Sequence, residues 1–148
     1  MEFIELADQF AKRHGVADLT VEDGSFSLDI DGIEVAAVAI GDDVALAAEI
    51  GEPPVEGKGE FSDAMLEANM ESTMFFAKSG QTGKYMLTRH LRLPALDCDA
   101  LDQAMEAMVN TAEAWRRMLE DFRPAAKAAA AAAEAESPSF GASDFMQV

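Results

Sequence analysis

Residues 24–51 read GSFSLDIDGIEVAAVAIGDDVALAAEIG, and the fold turns on how they are parsed. Three apolar runs, 26–30, 33–40 and 44–50, are interrupted only by Asp31-Gly32 and by Gly41-Asp42-Asp43. Asp-Gly between two alternating strands is a strong hairpin signal, because both positions of the tight loop need positive φ and these two residues tolerate it. The second gap reads as another tight turn. The stretch predicts a three-stranded antiparallel meander.

Its strands differ in their faces. Phe26, Leu28 and Ile30 share one side, opposite Ser25, Ser27 and Asp29. Val44, Leu46, Ala48 and Ile50 likewise oppose Asp43 and Glu49. This alternation marks strands with one buried face. In the middle run Ile33, Val35, Ala37 and Ala39 oppose Glu34, Ala36, Val38 and Ile40, so both faces are largely apolar. Such a strand must be covered twice or leave one face adhesive.

Outward from the meander the periodicity changes. Phe3, Leu6, Ala7, Phe10 and Ala11 recur at three- and four-residue steps and predict a helix over 2–14, with Gly15 as its C-cap. Residues 51–60, GEPPVEGKGE, read as a loop. A second helix is expected from Ser62-Asp63 to about Thr73, with two apolar stripes. One comprises Phe61, Ala64, Met65 and Ala68, the other Leu66, Met70, Thr73 and Met74. Two stripes suit a helix sandwiched between its own core and a second subunit. Residues 74–78 and 84–93 read as strands, the longer carrying the basic residues Arg89, His90 and Arg92. Asp97 or Asp99 caps a third helix to Phe122, whose stripe is Leu101, Ala104, Met105, Met108, Ala112, Trp115, Leu119 and Phe122. The expected class is therefore α+β, in the order α-β-β-β-α-β-β-α. Residues 1–123 form one domain, and residues 124–148 an alanine-rich, flexible tail whose Phe140 and Phe145 could dock on a groove.

The chain has 148 residues and a formal charge of −17, and acids outnumber bases more than twofold even before the tail. A surface of that sign repels nucleic acid and anionic membrane. One cysteine, Cys98, permits no internal disulfide and fits a reducing cytoplasm. No basic, apolar leader opens the chain and no run suits a membrane span, so a cytoplasmic protein is expected.

Residues bearing catalytic chemistry do not gather. Five residues separate Gly51 from Gly57, one more than a P-loop has, and Gly rather than Ser or Thr follows Lys58; residues 80–84 fare no better. His14, His90 and Cys98 lack metal-ligand spacing. Asp29-Ile30-Asp31-Gly32 echoes the start of a calcium loop without its later ligands, and the hairpin accounts for it. No catalytic residue, metal or cofactor is expected. Nine methionines, with Met65, Met70 and Met74 in or beside the second helix, suit an adaptable apolar interface.

The order of elements on a small acidic chain resembles the class I type III secretion chaperones, the Tir-chaperone (CesT-like) family. Residues 10–19 (FAKRHGVADL) look like its first helix end, and residues 23–32, opened and closed by Asp-Gly, like its first strand. Residues 42–51 (DDVALAAEIG) are similar to its third strand, and Met65-Leu66-Glu67-Ala68-Asn69 to its second helix. Ala112-Glu113-Ala114-Trp115 with Leu119 resembles the end of its last helix. The resemblance spans about residues 2–122.

It implies a homodimer that holds the N-terminal segment of a secreted effector extended and soluble, and presents it to the export apparatus. The implied dimer interface comprises Met65, Leu66, Asn69, Met70, Met74, Phe75 and Phe76. Phe3, Leu6, Phe10, Leu28, Ile30, Val35 and Val38 are the candidates for effector contact. The alternative is a structurally similar regulator that sequesters another protein outside secretion. A small enzyme or ligand-binding domain assembled from scattered carboxylates is the reading of a different class.

Overall fold

The computed structural model describes residues 2–16 and 19–125. Its elements are helix α1 (Phe3–His14), strands β1 (Ser25–Ile30), β2 (Ile33–Ile40) and β3 (Asp43–Gly51), helix α2 (Lys58–Asn69), strands β4 (Phe75–Lys78) and β5 (Tyr85–Arg92), and helix α3 (Cys98–Glu120). The order α-β-β-β-α-β-β-α is the expected one. All five strands join in one antiparallel sheet, β1-β2-β3-β5-β4.

Asp31 and Gly32 take φ of 53° and 84°, so the β1–β2 turn is the tight hairpin their side chains permit. That turn sets the register: Ile30 faces Ile33, Leu28 faces Val35 and Phe26 faces Ala37. Every buried residue of the meander then falls on one side of the sheet. Phe26, Val35, Ala37, Val44, Leu46 and Ala48 meet Leu6 and Phe10 of α1 and Leu101, Met105 and Met108 of α3 there. Full burial of one such large apolar side chain contributes about 1.5–3 kcal/mol.

The helices begin and end where local chemistry requires. Gly15 turns left-handed at φ 66° to close α1. Asp97 accepts the Ala100 N–H at 2.7 Å and caps α3. A clasp of polar side chains joins the two helices. Arg13 Nη1 lies 2.6 Å from Asp99 Oδ1, and His14 Nε2 lies 2.6 Å from Asp102 Oδ1. The His14 ring also rests 4.4 Å from that of Phe10. The Asp99 hydrogen bond makes the Arg13 guanidinium hold its proton more firmly still.

Two boundaries depart from expectation. Helix α2 starts at Lys58, inside the expected loop, and stops at Asn69 rather than near Thr73. Gly57 at φ 75° makes the turn that launches it, and Gly59 is accommodated in its first turn. At the other end the Asn69 side chain is engaged with strand β4. The alanine-rich tail past Ala125, with the docking expected of Phe140 and Phe145, lies outside the described residues.

Candidate binding surfaces

Among the described residues, three surfaces present clustered apolar groups to solvent. The first is the sheet face turned away from α1 and α3. In β2 and β3 it carries Ala36, Val38, Ile40, Ala45 and Ala47, and one row runs across all five strands as Ser27, Ala36, Ala47, Thr88 and Phe75. The middle strand's second apolar face is thus left shallow and open rather than buried. Carboxylates of Asp29, Glu34, Asp43 and Glu49 stand on the same side of the strands. The expected basic cluster is divided: Arg89 points to the helix side opposite Leu46, whereas His90 and Arg92 stand on the open face, Arg92 3.1 Å from Asp43.

The second surface flanks α1. A groove of about 600 Å³ opens between that helix and residues 19–21, with Ile4, Ala7, Ala11, Val16, Leu19 and Val21 along it. Ile4 is 68% exposed. The third surface lies on α2 and β4, where Leu66, Met70 and Phe75 are 62%, 88% and 49% exposed.

The sequence-derived effector residues divide between core and surface. Phe3, Leu6, Phe10 and Val35 lie in the core, and their side chains present almost no surface. The physical reason is that α1 has a single strong apolar stripe, which the sheet and α3 cover. Leu28 and Ile30 are half-buried at the margin of that core, and Val38 stands half-buried on the open sheet face. Ile4, Ala7 and Ala11, which line the groove, were not among the expected residues. Ile4's place off the main stripe was the available signal.

The sequence-derived interface residues are similarly sorted. Met65 and Met74 are buried, and Phe76 packs its ring 4.5 Å from that of Trp115. Asn69 binds the backbone of Phe76, accepting its N–H at 2.7 Å and donating to its carbonyl at 3.4 Å. Leu66, Met70 and Phe75 are the members that face outward.

The two outer strands of the sheet differ in their free backbone groups. Ala39 N–H donates to the Gly24 carbonyl, which fixes the alternation of the β1–β2 ladder. Phe26, Leu28 and Ile30 therefore bond inward, while the backbone groups of Ser27 and Asp29 point away from β2. Among the described residues nothing bonds them. No group of His, Cys, Asp or Glu that could hold a metal occurs among the described residues, and no helix there is long and apolar enough to cross a membrane. Cys98 is buried, and its burial pushes the thiol up from its ordinary value.

This is a helix-backed antiparallel sheet built to present surfaces, the class of a small binding protein. Residues 5–116 match the Tir chaperone protein (CesT) family, and the chain belongs to that family. No curated protein matches the chain. Among solved structures it is similar to a chain of the HopA1–SchA chaperone–effector complex, at 14% identity and a TM-score of 0.67, covering 78% of this chain and 94% of that one. A chain of the ExsC–ExsE complex gives 21% identity and 0.69, covering 78% and 91%. The Yersinia pestis type III secretion chaperone SycH, in complex with a YscM2 fragment, gives 18% and 0.64, covering 77% and 99%. At these identities the likeness is one of fold.

Proposed function

We propose that the chain is a cytoplasmic type III secretion chaperone that acts as a homodimer and holds the N-terminal segment of a secreted effector in extended form. The observation that carries this reading is the open β1 edge beside an apolar sheet face. An extended segment adding to that edge gains main-chain hydrogen bonds at Ser27 and Asp29. Its alternate side chains can lie over the shallow alanine-rich surface.

Backbone pairing asks little of the partner's sequence, which suits a client held unfolded. The charge of −17 keeps the complex soluble while apolar surface stays exposed. SchA occurs in a chaperone–effector complex, and SycH is a secretion chaperone. Family membership brings the same role to this chain. Work of this kind is binding, with no catalytic step, and the loaded complex is what the export apparatus would receive. The outward residues Leu66, Met70 and Phe75 form the centre of the proposed dimer contact, and Met65, Asn69, Met74 and Phe76 support it from beneath. Effector contact falls to Ser27, Leu28, Asp29, Ile30 and Val38, and to Ile4 along the α1 groove.

The test is light scattering of the purified chain, alone and after co-expression with the N-terminal segment of a candidate effector. A mass twice the 15.9 kDa of one chain, rising by one bound segment or more, is expected. A monomer that captures no segment would overturn the reading.

A further inference from the structure

The sheet has two outer strands, and side chains close one of them. The register of β4 with β5 pairs Ala77 with Met86 and Phe75 with Thr88. Ser79 N–H donates to the Lys84 carbonyl, so the hydrogen-bonded pairs on this ladder fall at Ser79, Ala77 and Phe75. The backbone groups of Phe76, and the N–H of Met74 before it, therefore point outward, as those of Ser27 and Asp29 do on β1.

Here those groups are not open. The Asn69 amide, at the last position of α2, takes both the N–H and the carbonyl of Phe76. The Ser72 hydroxyl takes the Met74 N–H at 3.0 Å. Beyond them Lys78 also turns its backbone groups outward, and its exposed charge is of the kind that discourages strand pairing at an edge.

We propose that Asn69 is a plug that stops β4 of one copy from pairing with β4 of a second, leaving β1 as the strand-accepting edge of the sheet. The second copy is the occupant to exclude because Leu66, Met70 and Phe75 lie on α2 and β4 themselves. Any dimer formed through those side chains brings two β4 edges close together. Two short antiparallel edges about a two-fold axis are self-complementary, so unplugged strands would fuse two sheets into one. With the plug in place the copies meet through side chains alone. An extended client then finds its main-chain partners only at β1. The inference rests on the dimeric chaperone reading for its purpose, but its physical content concerns this chain alone.

The experiment compares wild type with Asn69→Ala, without any client, by sedimentation across a range of concentrations and by amide hydrogen exchange at Phe76. In dilute Asn69→Ala the Phe76 amide should exchange about tenfold faster or more. At high concentration the Asn69→Ala dimer should form about tenfold more tightly than that of wild type, with Phe76 and Lys78 amides regaining protection. Adding Ala77→Lys should abolish that tightening. A folded Asn69→Ala chain that associates no more tightly than wild type at any concentration would overturn the proposal, and so would an unchanged Phe76 exchange rate. Should Asn69→Ala fail to fold, Asn69→Ser, whose shorter side chain reaches neither group, carries the same comparison. Because no client enters, a failure here is separate from a failure to capture an effector.

Discussion

A β-carbon built on Gly57 would stand 2.8 Å from Cε2 of Phe122 and 2.9 Å from Cγ of Pro124. The glycine launches α2, and the aromatic ring ends the stripe of α3, so this contact locks the start of one helix against the end of another. Phe122 in turn meets the ring of Phe61 edge-on at 5.2 Å. Gly57→Ala combines a left-handed backbone with a collision and should lose about 2–4 kcal/mol of stability in chemical denaturation. Phe122→Ala removes the ring's share of the collision and leaves that of Pro124, so the double variant should be less destabilised than the sum of the two single ones.

Outward and inward residues of α2 predict opposite phenotypes. Leu66→Asp with Met70→Asp should halve the mass seen by light scattering, with stability per monomer changed by less than about 0.5 kcal/mol per site. Met65→Ala, by contrast, opens a cavity beneath the helix and should cost about 2–5 kcal/mol. A wild-type mass for the charged double variant would place the dimer contact elsewhere.

Ser27 tests the β1 edge directly. Its N–H points away from β2, so Ser27→Pro removes no bond of the existing ladder. The variant should stay within about 1 kcal/mol of wild type yet bind an extended client about tenfold more weakly. Isothermal titration with the segment that wild type captures reads the difference.

Cys98 gives an alkaline signature. Desolvation by burial is the largest influence on its thiol and pushes it up; Arg13 opposes this, while Asp102, Asp99 and Asp97 add to the rise. The folded value therefore lies above the unfolded one. Stability from the neutral thiol is fully present below the ordinary thiol range and is lost as pH rises through the raised folded value. Cys98→Ala should flatten that alkaline loss. In the native chain, a thiol reagent at pH 8 should react far more slowly than after denaturation.

The meander was legible because its information is local. Asp31-Gly32 specifies the turn, the turn specifies the register, and alternation does the rest. The stripe of α3 was legible for the same reason in Leu101, Ala104, Met105, Met108 and Ala112, which are buried; Trp115, Leu119 and Phe122, expected on the same core face, are only half-buried, and the helix ends at Glu120 before the last of them. Periodicity identifies an apolar face but not what covers it. Phe3, Leu6, Phe10 and Val35 accordingly looked as fit for an effector as for a core. The start of α2 was missed because Gly57, Lys58 and Gly59 read as loop, although only Gly57 needs a glycine's conformation. The Asn69–Phe76 bond joins a side chain to a backbone seven residues away, across a change from helix to strand. Nothing in residue type or spacing announces it.

The clasp between α1 and α3 has a consequence for biosynthesis. Arg13 and His14 find their partners 86 and 88 residues further along the chain. The sheet that receives α1's apolar stripe is likewise made of residues translated later. Residues 3–14 thus leave the ribosome with Phe3, Leu6 and Phe10 uncovered, and their cover is complete only once α3 has emerged. Contacts this distant in sequence are slow to form. A protein that would keep another chain's apolar segment from premature contacts must first carry such a segment of its own through synthesis.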